Sequence, residues 1–495
     1  MGAGIAQLAA AAGARTLVHD PDGAALERGL ERARRRLDEA AGARLVAAAE
    51  LGDLAGAEVV IEAAPESLEL KRELFSRVAE VVGEDCVLAT NTSSLSVTEI
   101  AAGVPGPERV VGLHFFNPAP VMRLVEVVAG ETSSEPALER VRELGRAMGK
   151  HVIDAADGPG FLVNRCNRPF GLEALRLVQE GLATHEQVDR ICRLGGGFRM
   201  GPFELMDLVG IDVGFEVSKS FYAQSFGEPR WRPSPLAARM AASKRLGRKA
   251  GRGWYEYPEG GAHRPDDPPP REPGGGDGRL VVIAGHSPLA EALTQAAEAA
   301  GWRAADPEAA VGDDVPALAV DCGGLEEADA APLQGGPPVV LCDVAPLAEL
   351  DPEGTAAGFF ATVPLGGLVE LTRSPTTSES AAKAAEGFFA SLGRHVEWVG
   401  DAPGLVLGRI VAQLVNEACF ALGEGVGNPA DIDAGMVLGL NHPRGPLEWG
   451  DAIGPVAVLG TLAGLWDEYR EERYRPAPAL LRAARMGAPL RPDAE

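Results

Sequence analysis

The chain repeats itself at a fixed spacing, and that repeat limits what it can fold into. Pro159-Gly160-Phe161 returns as Pro403-Gly404-Leu405, 244 residues further on. At the same spacing Arg165 falls on Arg409, Glu173 on Glu417, Glu180-Gly181 on Glu424-Gly425 and Asp189 on Asp433. Gly201-Pro202-Phe203-Glu204 falls on Gly445-Pro446-Leu447-Glu448, and Asp207 on Asp451. So many matches without a gap point to a duplicated structural unit. The unit is helical, because Leu172, Leu175, Val178 and Leu182 follow the 3.6-residue period of one helix face. The spacing also runs backwards, setting Phe115-Phe116 on Phe359-Phe360, Leu124-Val125-Glu126 on Leu368-Val369-Glu370 and His151-Val152 on His395-Val396. Under it His114 falls on Gly358 and Asn164 on Gly408, so the second copy is expected to keep the architecture and to lack the chemistry.

Ahead of each helical copy the pattern is α/β. Arg15-Thr16-Leu17-Val18-His19 ends at Asp20, Glu58-Val59-Val60-Ile61 at Glu62-Ala63, and Cys86-Val87-Leu88-Ala89 at Thr90-Asn91-Thr92-Ser93-Ser94. Short apolar strands alternating with helical stretches such as Ser67 to Val82 describe a doubly wound parallel sheet of Rossmann type, whose ligands bind beyond the strand C-termini. Residues 258–278, rich in Pro, Gly and Asp, predict a linker without helix or strand. The expected order is a Rossmann-type dinucleotide-binding domain over 1–157, truncated at its start, an all-α domain over 158–257, the linker, a degenerate Rossmann-like domain over 279–400 and a second all-α domain over 401–490.

A net charge of −25 argues against nucleic acid or an anionic membrane as partner, since both need a basic surface. No apolar run approaches a membrane span, and the first residues lack the basic head and cleavage site of a signal peptide. Cys86, Cys166, Cys192, Cys322, Cys342 and Cys419 are scattered without a CxxC pair. They read as reduced thiols, not disulfides or zinc ligands, which makes the expected setting cytoplasmic and metal-free.

The chemistry concentrates at His114-Phe-Phe-Asn-Pro-Ala-Pro-Val-Met-Arg-Leu-Val-Glu126. A histidine can act as a base near neutral pH, and a buried carboxylate on its other nitrogen fixes tautomer and orientation. Taken alone, the pair also fits a structural histidine at a turn beside a satisfied strand glutamate. Glu66, Ser93 and His114 all fall near strand ends, where a dinucleotide and its substrate would meet.

Asn91-Thr-Ser-Ser94, His114-Phe-Phe-Asn-Pro118, Met122-Arg-Leu-Val-Glu126, Pro159-Gly-Phe-Leu-Val-Asn-Arg165, Gly201-Pro-Phe-Glu204 and Gly247-Arg-Lys-Ala-Gly-Arg-Gly-Trp-Tyr255 together resemble the NAD-dependent 3-hydroxyacyl-CoA dehydrogenases. The tandem arrangement is similar to the bacterial two-module members of that family, which act on 3-hydroxybutyryl-CoA or 3-hydroxyadipyl-CoA in fatty-acid or phenylacetate-type β-oxidation. The resemblance implies His114 as general base and Glu126 as its orienting partner. Ser93 and Asn164 would hydrogen-bond substrate or the histidine, with Asn117 also on the substrate. Gly2, Asp20, Glu66, Lys71, Asn91 and Ser93 would serve NAD. Asp20 lies 18 residues after Gly2, where a carboxylate binds a ribose 2′-hydroxyl and repels a 2′-phosphate, favouring NAD over NADP.

The family's Gly-x-Gly-x-x-Gly follows an opening strand, whereas Gly2 here matches its last glycine. The first strand is therefore expected to be missing, either because the start lies too far downstream or because the form is truncated and impaired. The stretch between Asp20 and Glu58 is also shorter than usual for the family, so the family's CoA-contacting helical hairpin is not expected in full. Two functions follow. One is oxidation of a (3S)-3-hydroxyacyl-CoA to the 3-oxoacyl-CoA with NAD. The other is a non-catalytic acyl-CoA-binding or assembly protein descended from such enzymes. Single-module relatives are expected to dimerise through the helical unit, so the two copies here are expected to form an internal pseudo-dimer.

Overall fold

Apolar strands that end in polar residues build three parallel-rich sheets. In the computed structural model, which describes residues 1–258, 261, 263, 265–308, 314–323, 336–352 and 354–491, β1 (Thr16–Val18) pairs only with β2 (Leu45–Ala47). Next to them β3 (Val59–Glu62), β4 (Val87–Thr90), β5 (Val110–Phe115), β6 (Leu124–Ala129) and β7 (His151–Ala156) form a five-stranded sheet in that order, parallel except for β5–β6. The third sheet holds β8 (Leu280–Ala284), β9 (Arg303–Ala305), β10 (Leu318–Asp321), β11 (Pro338–Leu341), β12 (Ala357–Phe360), β13 (Leu368–Arg373) and β14 (His395–Trp398). Its order is β14-β13-β12-β11-β10-β8-β9, antiparallel only at β12–β13. There β8 stands between β9 and β10, while among the described residues no strand lies between β1 and β3.

Strands β4 and β5 are buried along their whole length, as a sheet covered on both faces requires. Val87, Ala89, Val111, Leu113, Phe115, Val125 and Val127 form one core with Ile5 and Ala9 of the helix Gly2–Ala11 and with Leu138 and Val141 of the helix Glu135–Ala147. After β1 the chain makes the helix Gly23–Arg34, capped by Asp22, and then a single turn at Glu39–Gly42. The expected linker carries no helix or strand over 265–278, yet it is pinned: Asp267 receives two 2.7 Å bonds from Arg193, and the Pro269 carbonyl lies 2.9 Å from His395.

Strand register corrects one expectation. His114 lies directly across from Glu126, but the residue across from Glu370 is Phe360, not Gly358. The glycines explain the slip. A Cβ on Gly112 would meet Val128 and Val97, and one on Gly358 would meet Thr372 and Leu347, so Gly112 and Gly358 occupy like positions. The loop leading into β13 is two residues shorter than the one into β6. The Phe-Phe doublets align by sequence and not by place.

Contacts group the chain into two compact units, Met1–Cys166 with Glu424–Asn441, and Asn167–Gly423 with His442–Glu495. In the first, the helix Pro429–Leu440 lies on β6, β7 and the turn Val163–Cys166. Asp154 donates to Asp431 at 3.1 Å and Ala156 to the Val426 carbonyl at 2.9 Å. Gly435 and Gly439 allow the close approach: a Cβ at either would come within 2.8 Å of Val163 or Leu124. In the second unit the segment His185–Gly195 packs along β13, with Gln187 reaching Glu397 and the Trp398 carbonyl of β14 at 3.0 and 2.9 Å. Gly400 donates to the Leu182 carbonyl at 2.7 Å. The five- and seven-stranded sheets thus each carry, beside the last strand, a helix from the other half of the chain.

Candidate active site

Two consecutive left-handed residues create the centre of the site. Gly160 (φ 72°) and Phe161 (φ 53°) turn the chain so that the amides of Leu162 and Val163 point at Glu126 Oε1, at 3.2 and 2.9 Å. A positive φ at Phe161 is uncommon for a residue with a Cβ, and Gly160 supplies the preceding half of the turn without that cost. Glu126 Oε2 then faces His114 Nδ1 at 2.6 Å, with both residues buried. An ionised carboxylate only accepts hydrogen bonds, so the ring proton of a neutral His114 sits on Nδ1 and leaves a lone pair on Nε2. Phe116 and Phe161 flank the imidazole, with ring centroids 4.7 and 5.9 Å away.

A second cluster sits at the ends of β3 and β4. Glu66 Oε1 receives the Ser93 amide at 3.0 Å, the Ser94 amide at 3.1 Å and the Thr92 hydroxyl at 2.6 Å. Burial raises the Glu66 carboxyl, but Thr92, Lys71 and the serine turn outweigh it, and the net shift is downward. Asn164 Nδ2 donates to the Ser93 carbonyl at 3.5 Å, so the structure brings Ser93, Asn164 and Glu66 together. Lys71 is placed differently from a direct cofactor ligand. Its side chain is 1% exposed, with Nζ 2.7 and 2.9 Å from the two oxygens of Glu62 and 3.5 Å from Glu66. Glu62 also takes the Thr90 hydroxyl at 2.7 Å. Glu62 joins the site residues named from the sequence, and its signal there is a carboxylate closing an apolar strand nine residues before a lysine. Asn91 gives Oδ1 to the Phe115 amide at 2.8 Å, tying the end of β4 to β5 beside His114. Asn117 lies exposed past the end of β5.

The second half builds the same carboxylate support without a base. Gly404 and Leu405 repeat the left-handed turn (φ 68° and 44°), and Val406 and Leu407 donate to Glu370 at 2.8 and 3.0 Å. Phe360 stands across the strand, and a Cβ on Gly408 would come 2.5 Å from its ring. The two changes belong together: a phenyl ring at the histidine position needs the room an asparagine would take. With no cationic or imidazole partner among the described residues, burial pushes the Glu370 carboxyl up to about 8 from its usual 4.5, against the two backbone donors. A carboxyl raised on folding stabilises fully below the unfolded value and loses that contribution as pH climbs towards 8. Glu370→Gln is therefore expected to gain stability relative to wild type between pH 5 and pH 8, by at most about 1.4 kcal/mol per pH unit. Urea midpoints of both proteins at the two pH values measure it, and a stability gap independent of pH would contradict the account.

These residues fit a dinucleotide. The helix Gly2–Ala11 begins beside Ala63 at the end of β3, 3.8 Å from the place of a Gly2 Cβ, and no side chain caps its first turn. Asp20 is exposed beyond β1, with Oδ1 accepting the Asp22 amide at 2.9 Å. A helix N-terminus with a carboxylate after the neighbouring strand is the pairing that holds pyrophosphate and ribose. Among the described residues no group of three His, Cys, Asp or Glu could hold a metal ion, and no helix is long and apolar enough to cross a membrane.

Comparison with known proteins shows the family. Residues 1–158 match the 3-hydroxyacyl-CoA dehydrogenase NAD binding domain, and the C-terminal domain of the same family matches twice, at 160–257 and at 404–493. A 3-hydroxyadipyl-CoA dehydrogenase of Escherichia coli (strain K12) is 36% identical over 502 residues, covering 98% of this chain and 95% of that protein. The human mitochondrial hydroxyacyl-coenzyme A dehydrogenase is 37% identical over 276 residues, 52% of this chain and 88% of its own. Among solved structures, a 3-hydroxybutyryl-CoA dehydrogenase from Escherichia coli K12 superposes with a TM-score of 0.78 at 33% identity, covering 98% of this chain and 96% of that one.

Proposed function

Because the chain belongs to the 3-hydroxyacyl-CoA dehydrogenase family, we propose that His114 and Glu126 are the base and its orienting partner in the reaction of that family. The protein is an NAD-dependent oxidoreductase that converts a 3-hydroxyacyl-CoA to the 3-oxoacyl-CoA in β-oxidation. The observation that carries the residue assignment is the 2.6 Å contact between His114 Nδ1 and a carboxylate already holding two backbone amides. Nε2 of His114 takes the proton of the substrate hydroxyl, and the imidazolium formed is stabilised by Glu126. NAD, when bound, supplies the acceptor for the hydride that leaves the same carbon. Ser93 and Asn164 hold the substrate oxygen, Asp20 the ribose, and Gly2 opens the helix that meets the pyrophosphate.

Lys71 and Glu62 act through Glu66 and not on NAD itself. Their buried pair fixes the loop after β3, which in turn holds the Thr92–Ser94 turn. Glu62→Gln leaves the ammonium half-paired in the interior, a change that typically costs about 3–5 kcal/mol. It is expected to raise the Kd for NADH tenfold or more in the folded fraction. Nicotinamide fluorescence titration of wild type and variant, with turnover followed by NADH formation, tests both levels. An unchanged NADH affinity would remove Glu62 from the assignment, and a wild-type protein that neither binds NADH nor oxidises a 3-hydroxyacyl-CoA would remove the catalytic assignment.

We also infer that the second half is a degenerate duplicate and that its helical domain pairs with the first as an internal pseudo-dimer. The exchanged helices support this reading, and so does the repeated left-handed turn over Glu126 and Glu370. Arg165 reaches Glu424 at 2.7 Å, and its repeat mate Arg409 reaches Glu180, the mate of Glu424, at 2.8 Å.

A further inference from the structure

A lysine buried without a counter-charge stands behind the loop that follows the base. Lys150 is 9% exposed and lies between the helix Glu135–Ala147 and β7. Its Nζ donates to the Ala119 and Met122 carbonyls, each at 2.6 Å. Among the described residues no carboxylate pairs with it, and burial holds the ammonium below its usual pKa. The backbone it holds is the loop from Asn117 to Arg123, which joins β5 with His114 to β6 with Glu126. Within that loop the Pro118 carbonyl takes the Val121 and Met122 amides at 2.9 and 3.0 Å. Pro118 and Pro120 have no amide to give, so the remaining buried carbonyls need a donor from elsewhere, and an ammonium with three N–H groups can serve two of them.

The same loop meets the helix at the dinucleotide site. A Cβ on Gly4 would stand 3.0 Å from Pro120 Cδ and 3.6 Å from Ala119 Cβ, while one on Gly2 would stand 3.8 Å from Ala63 past β3. Ala119 also shares a core with Ile5 and Ala9 of that helix. The first turn of the helix Gly2–Ala11 is thus set between the end of β3 and the loop that Lys150 holds. The repeat separates the general part of this arrangement from the particular one. Lys150 falls on Arg394, whose Nη1 donates at 3.0 Å to the carbonyl of Gly366, the repeat mate of Met122. The next residues agree, since His151 donates to the Arg123 carbonyl and His395 to the Gly367 carbonyl, at 2.8 and 2.9 Å. A cation on the first of these carbonyls is common to both halves. The bond to Ala119 belongs to the half with the base, where the loop is two residues longer.

We propose that Lys150 is a positioning residue for the cofactor: by holding Ala119 it fixes the support for the first turn of the helix Gly2–Ala11, and so the amides that meet the pyrophosphate. The inference rests on the dehydrogenase reading and adds a residue that acts at one remove from NAD. Lys150→Met is expected to raise the Kd for NADH roughly tenfold or more in folded protein, because two buried acceptors lose their donor. Turnover at saturating NAD should stay within about threefold, and the acid limb of the pH–rate profile should not move, since the His114–Glu126 contact lies outside the loop. Hydrogen exchange over residues 1–12 should quicken in the absence of NADH. Lys150→Arg should keep the Kd within about threefold of wild type, as arginine holds the matching carbonyl in the second half. Arg394→Met serves as the control for lost stability and should leave NADH affinity unchanged. Should Lys150→Met fail to fold, Gly4→Ala strikes the same contact from the helix; alanine favours a helix over glycine, so weaker NADH binding there comes from crowding against Pro120. Wild-type NADH affinity in Lys150→Met, or in Gly4→Ala where the first does not fold, overturns the proposal. So does a fallen turnover with a shifted pH profile, because the loop would then serve the base. If wild type binds no NADH, the NAD reading itself has failed, a result distinct from binding that is indifferent to Lys150.

Discussion

His114→Ala is expected to lower turnover by roughly 100-fold or more, the usual scale for loss of a general base. The side chain is buried, its Nδ1 is committed to Glu126, and among the described residues no second histidine stands beside that carboxylate. Glu126→Gln should also cost at least about tenfold, since an amide can present its NH₂ group to Nδ1 and favour the tautomer that protonates Nε2. Glu370→Gln should leave turnover within about twofold, because Phe360 and not an imidazole faces Glu370. Steady-state rates for the three variants, normalised to folded protein, decide the matter. Comparable losses at Glu126 and Glu370 would mean that both halves carry chemistry.

The second large effect is expected far along the chain from the base. The helix Pro429–Leu440 presses on Val163, whose amide is one of the two that hold Glu126. Gly435→Leu forces a side chain into a space where even a Cβ comes within 2.8 Å of Val163. Overpacking of this kind costs about 1–3 kcal/mol, and here it is expected to displace one of the two amides that hold Glu126. Turnover should fall together with the melting temperature. Deleting residues 279–495 removes the helix altogether and uncovers the apolar face of β6 and β7, so the fragment should dimerise or aggregate. A fragment that stays monomeric, soluble and fully active would refute the internal pairing of the two halves.

The fold was legible wherever its pattern is local. Strand ends at Asp20, Glu62 and Thr90, the helix after Ser67, and the strand carrying His114 with its partner Glu126 all fall where apolar runs break. The spacing of 244 held through the Glu126/Glu370 strands and the helices that follow. It failed one strand earlier, because a two-residue difference in a loop leaves no trace when both sides carry Phe-Phe. Only cross-strand register shows that Phe360 faces Glu370. The burial of Lys71 was illegible for a different reason: a lysine on an amphipathic helix reads as solvent-facing until the carboxylates that receive it are known. The exchanged helices were hidden too, since nothing in a helix's own period names the sheet it will cover.

That exchange sets a timetable for the chain. The unit containing His114 is discontinuous in sequence, being finished by residues 424–441. At a synthesis rate of about 5–20 residues per second, everything up to Cys166 waits on the order of 10–50 s for its last helix to emerge. During that wait the edge of β7 and the turn over Glu126 are uncovered, which makes them natural holding points for a chaperone. The delay also acts as proofreading. A ribosome that stops between residues 167 and 424 releases a chain bearing His114, Glu126 and Asn164 but not the segment that completes their unit, so such chains are expected to be inactive.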